Sequence, residues 1–201
     1  LNFKISEQFN IGLKYEHKAA IKVKHEVGKD ELLYPDGTEI GNDMPSLISV
    51  GASYKPIEKL NIALGCHYYL DKNADYGKRI DGNFVENKEV IDKNFLEFGL
   101  GLEYGITDNI LVSLGYLRTQ TGVNEKFQSD QAHSLNTNSI GVGGRYMVNE
   151  KIGINLGFMT TMYEAYDKEY PANVPGLIFQ PYKETYERSS MVIALGLDFS
   201  F

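Results

Sequence analysis

The chain has 201 residues, a net charge of −7 and a mean hydropathy of −0.30. The acidic balance argues against a nucleic-acid partner. A single cysteine excludes an intrachain disulfide, and no apolar run approaches the length of a membrane-spanning helix.

Taken in chain order, the pattern is one of alternation. Leu1 to Ser6 reads as the lower end of a descending strand. From Phe9 to Val27, Phe9, Ile11, Leu13, Tyr15, Ala19, Ile21, Val23 and Val27 fall on one side, with Lys14, Lys18 and Lys22 among the residues opposite. Ser46 to Tyr54 and Leu60 to Asp71 continue it, the second with Leu60, Ile62, Leu64, Cys66, Tyr68 and Leu70 on one face. Asn94 to Gly105, Ile110 to Thr119, Ser139 to Met147 and Ile152 to Tyr163 follow, and Met191 to Phe201 closes the chain on an aromatic. A period of two puts successive side chains on opposite faces of a strand. Segments of about ten residues with one apolar face suit tilted transmembrane strands.

The opposite face distinguishes a membrane barrel from a soluble sandwich. It holds Gly12, Gly51, Gly65, Gly99, Gly101, Gly115, Gly141, Gly143, Gly153, Gly157 and Gly196, and only Gly144 breaks the pattern. Glycine weakens a strand unless something must come close, so this face reads as a crowded or curved barrel interior. The bulky residues then point outward, to lipid, whereas a soluble barrel would carry its bulk inward.

Four short connections resemble one another: Phe3 to Phe9, Tyr54 to Leu60, Tyr104 to Ile110 and Tyr146 to Ile152. Each has an aromatic six residues before a strand opener, an internal hairpin repeat. The connections Gly28 to Pro45, Lys72 to Lys93, Gln120 to Leu135 and Glu164 to Glu184 are long, polar and unlike one another. Short turns at one end and long loops at the other are the outer-membrane barrel pattern, with the turns periplasmic. Phe3, Tyr54, Tyr104, Tyr146 and Phe201 then form one interfacial girdle. The expected class is an all-β, transmembrane antiparallel up-and-down β-barrel with about nine strands in this chain. Bacterial single-chain barrels close with an even number, so residues 1–201 are expected to be one domain, the C-terminal part of a larger barrel. An eight-stranded barrel from Phe9 to Phe201 is the alternative.

Catalytic patterns are poor. Asp130, His133 and Ser134 supply the residue types of a hydrolytic triad, yet neighbours on one loop rarely reach its geometry. No zinc spacing or phosphate-cradling loop occurs, so neither an enzyme nor a cofactor is expected. The acidic residues Asp30, Glu31, Asp36, Glu39 and Asp43 read as a solvated loop. The inner face combines apolar Leu47, Ala63, Phe95, Leu111, Leu117, Met159 and Val192 with the cations Lys14, Lys18, Lys22 and Arg145. That mixture suits an amphipathic ligand, with Lys14, Lys18 and Arg145 as candidates for its carboxylate. Pairing of Arg145 with Glu97 or Glu103, and of the lysines with Glu16, is the plainer reading. Leu32, Leu33 and Tyr34 form an apolar patch in the first long loop, a candidate for ligand capture.

Three motifs suggest a family. They are Asp43-Met44-Pro45-Ser46 leading into Ile48-Ser49-Val50-Gly51-Ala52-Ser53-Tyr54, Gly101-Leu102-Glu103-Tyr104-Gly105-Ile106-Thr107-Asp108-Asn109, and Ser139-Ile140-Gly141-Val142-Gly143-Gly144-Arg145-Tyr146. In order and spacing they resemble the FadL/TodX family of long-chain fatty acid outer-membrane transporters. The resemblance implies fourteen strands, an N-terminal plug and a lateral opening at an early kinked strand. This chain would supply the end of the sixth strand through the fourteenth, without plug or kink. It further implies passive uptake of long-chain fatty acids or other hydrophobic small molecules. The partners expected are such a ligand, outer-membrane lipid and lipopolysaccharide, and the barrel assembly machinery through the strand ending at Phe201. A small structural or adhesive barrel acting through its loops is the competing class.

Overall fold

A computed structural model describes residues 1–26, 35–80, 83–129, 133–170, 173–174, 177–178 and 180–200. One antiparallel sheet holds nine strands: β1 (Asn2–Lys4), β2 (Phe9–Glu16), β3 (Leu47–Ile57), β4 (Leu60–Tyr69), β5 (Phe95–Gly105), β6 (Ile110–Gln120), β7 (Thr137–Asn149), β8 (Ile152–Tyr163) and β9 (Ser189–Phe199). Each strand lies beside its neighbours in this series, so the topology is up-and-down throughout. β1 and β9 are the two edges. Because β2 pairs with β1 and β3 and not with β9, the eight-stranded closure is not formed.

The long first strand expected from Phe9 to Val27 is corrected. It stops at Glu16, and Lys22–Lys24 belongs to a separate ribbon with Glu39–Gly41. Polar bonds pull the chain out of the sheet between them: Lys18 N donates to Ser46 Oγ at 2.9 Å, and Ile21 N to Asp43 Oδ1 at 3.1 Å. Alternation continues through both pieces, because a ribbon has the same period as a barrel strand. Lys18 and Lys22 therefore lie in the loop layer, off the inner face of the sheet.

Three of the four short turns share one side-chain lock, and the Tyr54 to Leu60 turn carries a register shift without it. Ser6 and Thr107 accept the amide two residues on through their hydroxyls, at 3.2 and 3.3 Å, and Asn149 does so through its carboxamide at 2.9 Å. Each hairpin is then tied to the next by one bond. Gln8 O accepts from Lys55 N, Lys59 O from Gly105 N and Asn109 O from Met147 N, all at 2.8 Å, and Lys151 O accepts from Ser200 N at 2.9 Å.

Packing is unlike that of a soluble domain. Outer-face residues such as Leu114 (49% exposed) and Leu156 (60%) are open along every long strand. The buried residues gather instead at the long-loop end, where Ala74, Val90, Ile91, Leu135, Asn87 and Gln128 are almost closed off from solvent. On β5 the outer apolar positions run from Leu96 to Tyr104, about 27 Å along the strand. With a tilt near 40° that is about 20 Å of height, of the order of the apolar band of a membrane barrel. The outer face turns polar at Arg118 and Asn138, which are partners in register. There Tyr116 Oη donates to Asn138 Oδ1 at 2.7 Å, and Arg118 pairs with Glu164.

Candidate ligand-binding site

The inner face is organised by its glycines. Gly12, Gly51, Gly65 and Gly99 stand side by side across β2 to β5. One pleat nearer the short turns the row resumes as Gly101, Gly115 and Gly141, and one pleat further as Gly143, Gly157 and Ala194. The stepped row is a continuous belt across the inner face from β2 to β9. Gly51, Gly101, Gly143 and Gly196 each precede an outer aromatic by three residues: Tyr54, Tyr104, Tyr146 and Phe199. An odd spacing puts the two members on opposite faces, so one short motif sets both the outer girdle and the inner belt.

Crowding accounts for only part of this face: an added Cβ would fall 2.7 Å from Ser113 Oγ at Gly143 and 2.9 Å from Met147 Sδ at Gly153. A Cβ added at Gly12 or Gly65 would meet nothing within 4 Å, and at Gly99, Gly101, Gly115 or Gly141 only ordinary contacts of 3.7–4.0 Å. Most of these glycines keep space open. The result is a trough of about 610 Å³ floored by backbone and flanked by Ala63, Met159, Val192 and Ala194. A second cavity of about 360 Å³ adjoins it toward the short turns, and both include Asn61 and Glu103.

Polar groups close the trough at that end. Asn61 Nδ2 donates to Glu103 Oε2 at 3.1 Å. Arg145 lines the same cavity, and its guanidinium makes no ion pair within 4.0 Å among the described residues, neither with Glu97 nor with Glu103. Asn155 and Asp198 bond to each other at 2.8 Å. At the long-loop end Tyr69 meets Phe95 edge-on with ring centres 5.3 Å apart, and Ser49 bonds to His67.

Of the residues singled out in the sequence, Arg145 is thus inward and unpaired. Lys14 is inward but paired with Glu16 at 2.8 Å. Lys18 sits away from the trough, its Nζ 2.8 Å from Asp43 Oδ2 and donating to Asn73 O at 2.9 Å. Asp43 also accepts Ile21 N and Asp75 N, so it binds the first long loop to the second. Lys18 holds the Asp43 carboxyl below its ordinary value, with the Asp75 amide helping, and Asp43 in turn holds the Lys18 ammonium up. Leu32, Leu33 and Tyr34 lie outside the described residues. In the third long loop Ser134 is held through its backbone by Gln128, while the His133 ring lies tilted against Tyr186 with centres 5.2 Å apart. Asp130 is outside the described residues, and no cluster of three or more metal-ligating side chains occurs among those described.

The sheet matches solved structures along its whole length. A Pseudomonas aeruginosa FadL homologue superposes with a TM-score of 0.68 at 14% identity, over 98% of this chain and 50% of that one. The CymD monoaromatic hydrocarbon channel gives 0.57 at 10% identity, over 100% and 49%. The P. putida toluene transporter TodX gives 0.56 at 11% identity, over 99% and 47%. The chain has the fold of the FadL-type barrels. It spans about half the length of these structures, so the open FadL-type sheet corresponds to part of a barrel. No protein-family model and no curated protein matches the sequence.

Proposed function

We propose that this protein mediates passive uptake of long-chain fatty acids or similar hydrophobic small molecules across a bacterial outer membrane. The carrying observation is the belt of glycines that holds a greasy trough open on the inner face and leads to Arg145, which makes no ion pair among the described residues. An apolar path with few convergent polar groups suits an amphipathic ligand, and a free guanidinium supplies charge-assisted hydrogen bonds to a carboxylate. The solved proteins of like fold are, by their titles, a FadL homologue, a toluene transporter and a hydrocarbon channel, which supports passage of a hydrophobic compound. In this reading the sheet is the C-terminal part of a fourteen-stranded barrel. The short turns face the periplasm, the outer face meets outer-membrane lipid and lipopolysaccharide, and the last strand addresses the assembly machinery.

The test is equilibrium binding of a fluorescent long-chain fatty acid to the complete protein folded in detergent, with oleate as competitor. Saturable, competable binding is expected. Arg145→Gln should weaken it about tenfold, the scale of one lost charged hydrogen bond. The double change Gly101→Leu with Gly115→Leu should leave the fold intact, because each new Cβ meets only contacts of 3.9 Å, yet fill the trough and abolish binding. Absence of any competable binding by the folded wild type would sink the uptake reading.

A further inference from the structure

One glycine of the sheet serves neither the belt nor a turn. Among the described residues of the nine strands, Gly144 is the glycine that faces outward, between its cross-strand partners Val112 on β6 and Leu156 on β8. Its φ is not positive, and an added Cβ would meet only Leu111 O, at 3.6 Å. Neither strain nor crowding therefore calls for glycine here. What it supplies is a gap in a bulky surface. The gap opens as an outward notch of about 480 Å³, walled by Val112, Val142, Tyr146, Ile154, Leu156 and Phe158.

The notch has polar neighbours on one side. Toward the long loops the outer face stays apolar through Leu114, Val142 and Phe158, which are partners in register. Toward the short turns Tyr146 follows two residues after Gly144, about 7 Å along the strand. Beyond it the β7–β8 turn presents Glu150 and Lys151, and the β5–β6 turn, tied to β7 by the bond from Met147 N to Asn109 O, presents Asp108. All three are exposed and make no ion pair within 4.0 Å among the described residues. Lys151 lies three residues, about 10 Å, from Ile154, the partner of Tyr146. One cation and two carboxylates thus stand at one end of an apolar slot. A hydrocarbon chain fits the slot, and a head with a phosphate for Lys151 and an ammonium for Glu150 and Asp108 answers all three charges. A free fatty acid answers the lysine alone and sets its own charge against both carboxylates.

We infer that Gly144 forms a binding notch for one acyl chain of a phospholipid whose head joins a primary ammonium to its phosphate, as phosphatidylethanolamine does. The chain lies over Gly144 between Val112 and Leu156, and the head sits beyond Tyr146 against Lys151 and Glu150. A quaternary ammonium has no N–H to give the carboxylates, so phosphatidylcholine binds less well. This rests on the membrane placement proposed above and assigns the lipid to the leaflet on the short-turn side.

Photolabelling of the complete protein in phosphatidylcholine vesicles tests it, with a trace of diazirine-tailed phosphatidylethanolamine, phosphatidylcholine or palmitate as the probe. Peptide mapping should place phosphatidylethanolamine adducts on β7 and β8 about tenfold above those on the outer face of β4 and β5, the scale of one charge-assisted hydrogen bond. The phosphatidylcholine probe should show no comparable excess. Gly144→Leu should remove the excess while the barrel folds in wild-type yield, since its Cβ meets only an ordinary contact. Glu150→Gln with Lys151→Gln should lower phosphatidylethanolamine labelling to the phosphatidylcholine level. Even labelling across the outer face, an excess that survives Gly144→Leu, or a larger excess with palmitate than with the phospholipid would overturn the inference and leave uptake standing. A wild-type protein labelled on no outer strand by any probe would remove the membrane placement as well.

Discussion

Gly65 in the sheet and Gly122 in the loop layer are the same residue for opposite reasons. Gly65 has no atom within 4 Å of where a Cβ would stand, and its backbone is ordinary strand. Gly122 has a φ of +68°, and an added Cβ would fall 1.8 Å from Lys93 O. The carbonyl of Gly122 also accepts the amides of Asp92 and Lys93, at 2.9 and 3.1 Å. The sheet gains its regularity from a ladder that any strand-forming residue can join, so its glycines are free to serve the space beside them. The loop layer has no ladder of comparable length. It is fixed by short ribbons and by single residues such as Asp43 and Gly122, each of which answers several backbone groups.

The largest effect that sharpens this contrast is expected on the outer face. Leu114, half exposed in mid-strand on β6, should tolerate arginine if that face meets water and should cost about 2–4 kcal/mol if it meets the centre of a bilayer. Folding equilibria in lipid vesicles measure the difference. Next come the glycines themselves. Gly122→Ala should destabilise the loop layer by about 1–3 kcal/mol, the scale of left-handed strain in a residue with a side chain, and more if Lys93 cannot move. Hydrogen exchange should rise at the amides of Asp92, Lys93 and Asn124 and stay low in the sheet. Gly65→Ala should leave stability the same or raise it by up to about 1 kcal/mol. Equal effects of the two changes would erase the distinction between space-keeping and strain-bearing glycines.

The smallest effect concerns pH at the Asp43 junction. Asp43 is depressed in the folded state, so its contribution is present above the ordinary aspartate value of 3.8 and is lost as pH falls through the lower folded value. Lys18 is raised, so its contribution is present below 10.5 and is lost as pH climbs past that point. Exchange of the Ile21 and Asp75 amides, corrected for intrinsic rates, should be flat between these limits and rise outside them. In Asp43→Asn the rise at the acid end should vanish. Persistence of the acid transition in that variant would assign it to another group.

Sheet and loops also differ in how far the sequence discloses them. Alternation repeated over many strands made the sheet legible down to which face each glycine occupies, and the four aromatic-anchored turns were legible as one repeat. The first strand was over-extended because Val23 in the ribbon keeps the parity of Tyr15 in the barrel, and periodicity cannot see the Asp43 bonds that separate them. The inner placement of Arg145 follows from parity, but its freedom from Glu97 and Glu103 depends on cross-strand distances. Ser49 and His67 went unnoticed as a pair for a related reason. Eighteen residues and a turn separate them, and only the register of β3 on β4 brings them to 2.9 Å. Crowding, expected along the glycine face, holds at Gly143 and Gly153 and not at Gly12 or Gly65, since composition records that side chains are missing and not whether anything presses on the gap.

The bond that ties each turn to the following hairpin has a consequence for how such a wall grows. Gln8, Lys59, Asn109 and Lys151 each offer the carbonyl that the next two-strand unit needs, and each unit ends in a turn that offers it again. A duplicated hairpin inserted at any of these joints would find its attachment already present, whereas a single added strand would reverse the direction of everything after it. Walls of this kind are thus expected to change circumference in pairs of strands during evolution, with the rim chemistry copied unaltered at every step.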